Sequence, residues 1–325
     1  MNTQSNAVSD SPRDSQTIPP ASLSQTRPLY WSIRREIWEN HSIYVAPLAI
    51  AAVYLLGFAV SVIWLPHNMR EVWMPHTMRE MAAAHKVTDS LIGLAMPYAH
   101  AAMLVGLVTF LVGIFYSLDA LHSERRDRSI LFWKSLPVSD LTTVLSKAAI
   151  PLVVLPLIVF AVSVFLQQIM RLLSLSVLAM NGGSAATLWT RLPLSEMELV
   201  TLYGAVVIVL WHAPIYCWFM LVSGWARRAV FLWAVVPLLA IAAIENIAFH
   251  TSFLGSMLLG RLVGFSEAAF DLKDKNGVSI DSHFIPLTQL APGRFLSSPS
   301  LWVGLLVAAA LLAAAVRLRR YREPL

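Results

Sequence analysis

The sequence predicts an all-α, polytopic membrane protein. Three observations carry that. The chain of 325 residues is 57% hydrophobic and 13% charged, with a mean hydropathy of +0.64; soluble domains carry about twice that charge. Several apolar runs reach the roughly 20 residues a helix needs to cross about 30 Å of hydrocarbon. Lys and Arg gather in the short segments between alternate runs, the pattern that fixes orientation across a bilayer.

Residues 1–27 are polar and rich in Ser, Thr, Pro, Asn and Gln. They lack the basic and apolar regions of a signal peptide and read as a disordered cytoplasmic tail. Residues 28–325 form the membrane domain. At 28–41, Tyr30, Ile33 and Ile37 share one helical face, and Arg34, Arg35 and Glu39 another. This reads as an amphipathic helix lying on the inner leaflet. Six spans follow, at about 43–64, 97–118, 148–170, 199–223, 230–250 and 301–316. The last is short, with Arg317, Arg319 and Arg320 placed to snorkel to the interface. Ser298-Pro299 reads as a cap followed by proline at the first helical position.

With both termini inside, the inner segments (1–42, 119–147, 224–229, 317–325) hold 15 of the 24 Lys and Arg, and the outer ones (65–96, 171–198, 251–300) hold 9. Each outer loop has as many acids as bases. The orientation read is therefore N-in, C-in. Within the longest outer loop, residues 252–265 are apolar and glycine-rich but too short to span, and read as a re-entrant or interfacial helix.

Composition and motifs exclude several function classes. Arginines sit beside membrane segments rather than on a basic stripe, so the net charge of +5 reports topology and not nucleic acid. The single cysteine, Cys217, lies in an apolar run and permits neither an intrachain disulfide nor a CxxC metal site. None of the 14 glycines precedes a lysine, so no phosphate loop is present. HExxH and GxSxG are missing too. Pro66–Glu71 and Pro75–Glu80 form a near-repeat that spaces His67, His76 and His85 by nine residues. That is two and a half helical turns, which puts alternate histidines on opposite faces. The expectation is no resident cofactor, no metal and no covalent catalysis.

Three intramembrane polar residues stand out. Glu245 lies some 7–8 Å below the outer end of its span, counting about 1.5 Å per residue. Two readings stand for it: a functional intramembrane acid, or a carboxylate reaching the outer interface. His212 lies deeper, and beside Pro214 it is expected to satisfy a carbonyl freed by the proline. His100, near the outer end of the second span, matches Glu245 better in depth.

The most informative stretch is the charged inner loop after the second span. It carries Asp119, Glu124, Arg125, Arg126, Asp127, Arg128 and Lys134, with the aromatic pair Phe132 and Trp133. Leu136-Pro137 breaks one helix; Ser139 is placed as N-cap of the next, with Asp140 in its first turn where the dipole favours an acid. The mixture of signs suits a protein groove better than an anionic lipid surface. Residues 124–134 are therefore expected to dock a soluble partner.

Here the sequence resembles a family. ERRDRSILFWKSLPVSDLTTVLSK, after a Tyr-Ser-Leu-Asp-Ala-Leu turn, is similar to the signature of permease subunits of bacterial ABC-2-type ABC transporters. The likeness extends to WHAPIYCWFMLVSGWARRAVFLW, to the six-span plan and to the amphipathic entry helix. It implies a type V exporter-like fold in the bacterial inner membrane, a second permease copy, and separate ATP-binding subunits docked on the inner loops. The short helix after the second span would be the coupling helix. Two other classes compete: a membrane anchor or sensor that binds an ATPase without transport, and an intramembrane enzyme built on Glu245.

Overall fold

A computed structural model describes residues 28–63, 88–127, 139–180, 194–271 and 287–321. The tail at 1–27, the histidine near-repeat, and Arg128, Phe132, Trp133 and Lys134 lie outside the described residues. Among the described residues the structure is helical, with one isolated antiparallel bridge between Phe270 and Leu290.

Chain order gives α1 (Pro28–Glu39), α2 (Ser42–Ile63), α3 (Thr88–Asp119), α4 (His122–Arg126) and α5 (Asp140–Ala149). A π-helical turn (Ile150–Val154) then joins α5 to α6 (Leu155–Met180). After these come α7 (Leu194–Trp225), α8 (Val230–Phe249), α9 (Phe253–Val263), α10 (Phe265–Ala269), α11 (Pro292–Ser297) and α12 (Pro299–Tyr321). Among the described residues, six stretches are long and apolar enough to span a membrane: Ser42–Ile63, Ala95–Arg126, Asp140–Val177, Leu194–Trp225, Val230–Phe249 and Pro299–Tyr321.

All six expected spans are present, and most are longer than hydropathy alone delimits. Polar first and last turns do not end a helix whose backbone bonds continue and whose side chains find partners. The sixth span is the clearest case. It runs 23 residues, so Arg317, Arg319 and Arg320 belong to the helix rather than to a snorkelling flank, and Arg319 is buried. Pro299 starts it, as the Ser-Pro step predicts. The π turn contains Pro151, whose missing N–H and ring bulk disfavour regular i→i−4 bonding.

Two of the buried clusters mark opposite ends of the bundle, and α7 packs along α12 between further ones. Near one end α1, α2, α3, α5, α7 and α12 meet around Ile43, Tyr116, Val144, Ile150, Met220 and Ala315. Toward the other end α2, α3 and α6 close on Ala51, Tyr98, Ala101, Leu166 and Met170. Small residues set the helix spacing. A Cβ on Gly113 would stand 2.9 Å from the Tyr216 ring, so α3 and α7 pack there only without one. α8 is peripheral and largely exposed, tied to α7 where Trp218 Nε1 donates to the Ala234 carbonyl at 3.0 Å.

α9 and α10 fold back into the bundle as a hairpin. Its lower end meets mid-α7, where His212 Nε2 lies 3.2 Å from the Leu262 carbonyl and Trp211 Nε1 donates to Gly260 at 3.2 Å. Its upper end returns to Tyr203, whose hydroxyl donates to Ala269 at 3.0 Å. Tyr203 and His212 are nine residues apart on one helix, so the hairpin dips about 13 Å along α7.

Candidate functional site: a buried ionic cluster at one end of the bundle

Six charged side chains converge where α1, α4, α5 and α12 meet. Arg35 and Glu36 come from α1, Glu124 from α4, Asp140 and Lys147 from α5, and Arg319 from α12. Local sequence explains their placement. Ser139 caps α5 by accepting from the Thr142 N–H at 3.1 Å, as its position predicts, and this leaves Asp140 in the first turn facing α12. Lys147 follows two turns later on the same side. On α1, Ile33 and Ile37 pack on the core and carry Glu36 inward between them.

The contacts form one connected set. Lys147 Nζ donates to Glu36 Oε1 at 2.9 Å and lies 3.3 Å from Glu124 Oε1. Arg35 Nη2 donates to Glu36 at 2.9 Å and lies 3.7 Å from Glu124. The Tyr116 hydroxyl donates to Glu36 Oε2 at 2.9 Å. Arg319 joins Glu124 through Nη1 and Asp140 through Nε, the latter at 3.1 Å. Three carboxylates thus meet three cations. Glu36, Glu124, Lys147 and Arg319 are each at most 6% exposed.

Such a set is stable only when complete. Taking ions out of water is costly, and close pairing with extra hydrogen bonds offsets it. Burial by itself would raise the Glu36 carboxyl, but the Lys147 ammonium, with donors on Lys147, Tyr116 and Arg35, holds it below the usual carboxylate range. The cluster therefore locks α1 and α4 to the bundle by charge. Arg125 adds a second fastening, donating to the carbonyls of Gly224 at 2.7 Å and Ala226 at 3.3 Å at the end of α7. The Leu121 N–H donates to Ser223 Oγ in the same corner.

Two residues of the expected docking stretch turn inward. Glu124 and Arg125 do not present their charges outward; both are buried against their own chain, because α4 turns that face onto α5, α7 and α12. Arg126 and Asp127 do face outward, paired at 3.1 Å with side chains about 60% exposed. Glu36 and Lys147 were not singled out as site residues. The available signal was the acid at 36 on the same helical face as Ile33 and Ile37, an acid where an amphipathic helix should be apolar.

The intramembrane candidates separate. Glu245 accepts from the N–H groups of Phe253 at 2.6 Å and Leu254 at 2.8 Å and from the Thr251 hydroxyl at 2.9 Å. It caps the exposed start of α9, which favours the structural reading. His212 Nδ1 lies 2.8 Å from the carbonyl of Ile208, one turn back, and Nε2 faces Leu262. The carbonyl freed by Pro214 would be that of Leu210, so His212 serves a different purpose: it pins the tip of the hairpin. His100 lies on α3, while Glu245 is turned to α9. One further charge escaped the sequence reading. Arg261, at the hairpin tip, lies 4.9 Å over the Trp211 ring and bonds the Ser300 carbonyl. Its guanidinium fills the place where a Cβ on Gly304 would stand.

No family model, curated protein or solved structure matches this chain. Among the described residues no group of three or more His, Cys, Asp or Glu is placed to hold a metal. What the described residues define is a helical bundle with six helices long and apolar enough to cross a membrane, and an interlocked ionic cluster at one end.

Proposed function

We propose that this chain is the membrane-spanning permease subunit of an ATP-driven, ABC-2-type export system of a bacterial inner membrane. Its partners would be a separate ATP-binding subunit, a second permease copy and the surrounding lipid. The observation that supports this best is the ionic cluster. It makes α4 continuous in mechanical terms with α1, α5 and α12, so a push on the exposed Arg126–Asp127 corner reaches the second, third and sixth spans together. A loop that merely anchored the chain to lipid would gain nothing from three buried ion pairs across four helices. In this reading the cluster faces the cytosol. ATP binding on the partner moves α4, and the spans follow as a packed unit.

The test is reconstitution. The purified chain alone should hydrolyse no ATP; with an ATP-binding subunit of this transporter class it should form a complex that does. Reversing Arg126→Glu and Asp127→Lys singly should weaken that complex more than tenfold while leaving folded yield intact. Hydrolysis by the isolated chain, or a complex indifferent to both reversals, would refute the docking assignment. Reporter fusions after Asn181 and Lys275 should report the outside and fusions after Ser129 and Leu325 the inside; an inside signal at Lys275 would overturn the orientation.

A further inference from the structure

Midway along the bundle, α3, α6 and α7 leave a small, half-open cleft of about 40 Å³. Its walls are mostly apolar or aromatic, with Phe110, Pro151, Pro156, Val159 and Tyr216 among them and Thr109 as a polar member. The π turn forms part of its lining, a distortion that recurs at functional sites. From Val159 the same face of α6 continues at helical spacing through Ser163, Gln167, Arg171 and Ser174. This polar stripe faces α3. Gln167 Nε2 donates to the Tyr98 carbonyl at 3.1 Å, and the Tyr98 hydroxyl meets Ser174 Oγ at 3.2 Å. Ser174 lies eleven residues beyond Ser163, about 16 Å along the helix.

The polarity of this seam is not explained by packing. Ser163 and Gln167 are fully buried, yet Ser163 Oγ and Gln167 Oε1 find no hydrogen-bond partner among the described residues. Buried polar atoms are almost always satisfied, and the exceptions call for an explanation. Two such atoms one turn apart, aimed into the α3–α6 contact beside a cleft, are suited to water or a ligand group that enters when the helices part. Tyr98 closes the seam in the conformation seen, with its hydroxyl on Ser174 and its ring edge-on to Phe58 at 6.1 Å.

We propose that the α3–α6 seam is the outer half of a translocation path inside the protomer, with Tyr98 as its gate. The molecule that fits is small and polar: its hydrogen-bonding groups follow Ser163, Gln167 and Ser174 along the stripe, and the small cleft beside Val159 holds water at its inner end. The direction of travel rests on the transport reading above, but the opening of the seam to water does not, and it can be measured by itself.

The experiment uses the full chain in native membrane vesicles, carrying Cys217→Ala and one added cysteine. The probe is a membrane-impermeant, positively charged methanethiosulfonate. Stripe positions Ser163→Cys and Gln167→Cys are compared with Leu157→Cys, Phe165→Cys and Leu172→Cys, on the exposed face of the same helix. Thiols react as thiolates, which form in water and not in hydrocarbon. The stripe positions should label at least tenfold faster than the three controls, and adding Tyr98→Ala should speed Ser163→Cys further. Labelling of both stripe positions no faster than the controls, with and without Tyr98→Ala, overturns the proposal and leaves the seam a static polar contact. Where Cys217→Ala reduces folded yield, peptide mass spectrometry reads the same comparison with Cys217 in place. A chain that labels as expected but fails to engage an ATP-binding subunit would keep the seam and sink the permease reading.

Discussion

The two ends of the bundle solve the same problem with different chemistry. At the α1–α4 end, charge meets charge: Glu36, Glu124 and Asp140 face Arg35, Lys147 and Arg319 across four helices. At the α9–α10 end, polar side chains meet backbone: Glu245 takes N–H groups of α9, while His212, Trp211 and Arg261 take carbonyls of the hairpin or of α12. The difference is one of interdependence. A cap or a carbonyl bond is a local exchange, and losing one leaves the others in place. A buried ion cluster is collective, because removing one member leaves its partners charged and dry. The first end is built to move as a block, and the second to hold a hairpin by several separable fastenings.

The largest expected effect breaks the block. Glu124→Lys places a fourth cation among Arg35, Lys147 and Arg319, and losing one partner of a buried pair costs about 3–5 kcal/mol. Folded yield and thermal stability in detergent should fall sharply, so this substitution reports on the chain's own stability before any docking can be read. Replacing both Glu36 and Lys147 with Met should cost less than either single change. A double mutant no better than the worse single change would show the pair is not coupled in the folded protein.

Acid should separate the two ends next. The Glu36 carboxyl is held below its ordinary range in the folded state. Its contribution is therefore complete above the unfolded value and is lost as pH falls through the folded value. Hydrogen exchange should show α1 protected at neutral pH and released only in strong acid. In Lys147→Met, which removes the largest favourable partner, that release should move to higher pH. An unshifted profile would remove Glu36 from the cluster.

At the hairpin end, Gly304→Ala displaces the Arg261 guanidinium and should cost about 1–3 kcal/mol, as overpacking does. Exchange should rise in α9 while α1 stays protected; a uniform loss across both ends would contradict their independence. Arg261→Ala in the same chain should restore part of the loss by vacating the space.

The smallest effect lies at the first end, outside the ionic cluster. Ala229, at the α7–α8 turn, has φ of 51°, a left-handed conformation that costs a non-glycine residue roughly 1–2 kcal/mol. Ala229→Gly should raise stability by up to about 1 kcal/mol, as read by thermal unfolding.

Hydropathy and cap chemistry determined the helices. The six spans, the Ser139 cap, the start at Pro299 and the short apolar helix before the last span follow from residues close in sequence, because helix formation and helix ends are settled by neighbours within about one turn. Tertiary structure decided which way the charges point. Glu124 and Arg126 sit two residues apart on a five-residue helix, and nothing local says that one is buried and the other exposed. That follows from where Arg319, 195 residues away, meets Glu124. The same holds for Glu36 with Lys147, 111 residues apart, and for His212 with Leu262, 50 apart. Electrostatic pairing in a dry interior depends on distances of a few ångströms between segments, and only the packed bundle sets those distances.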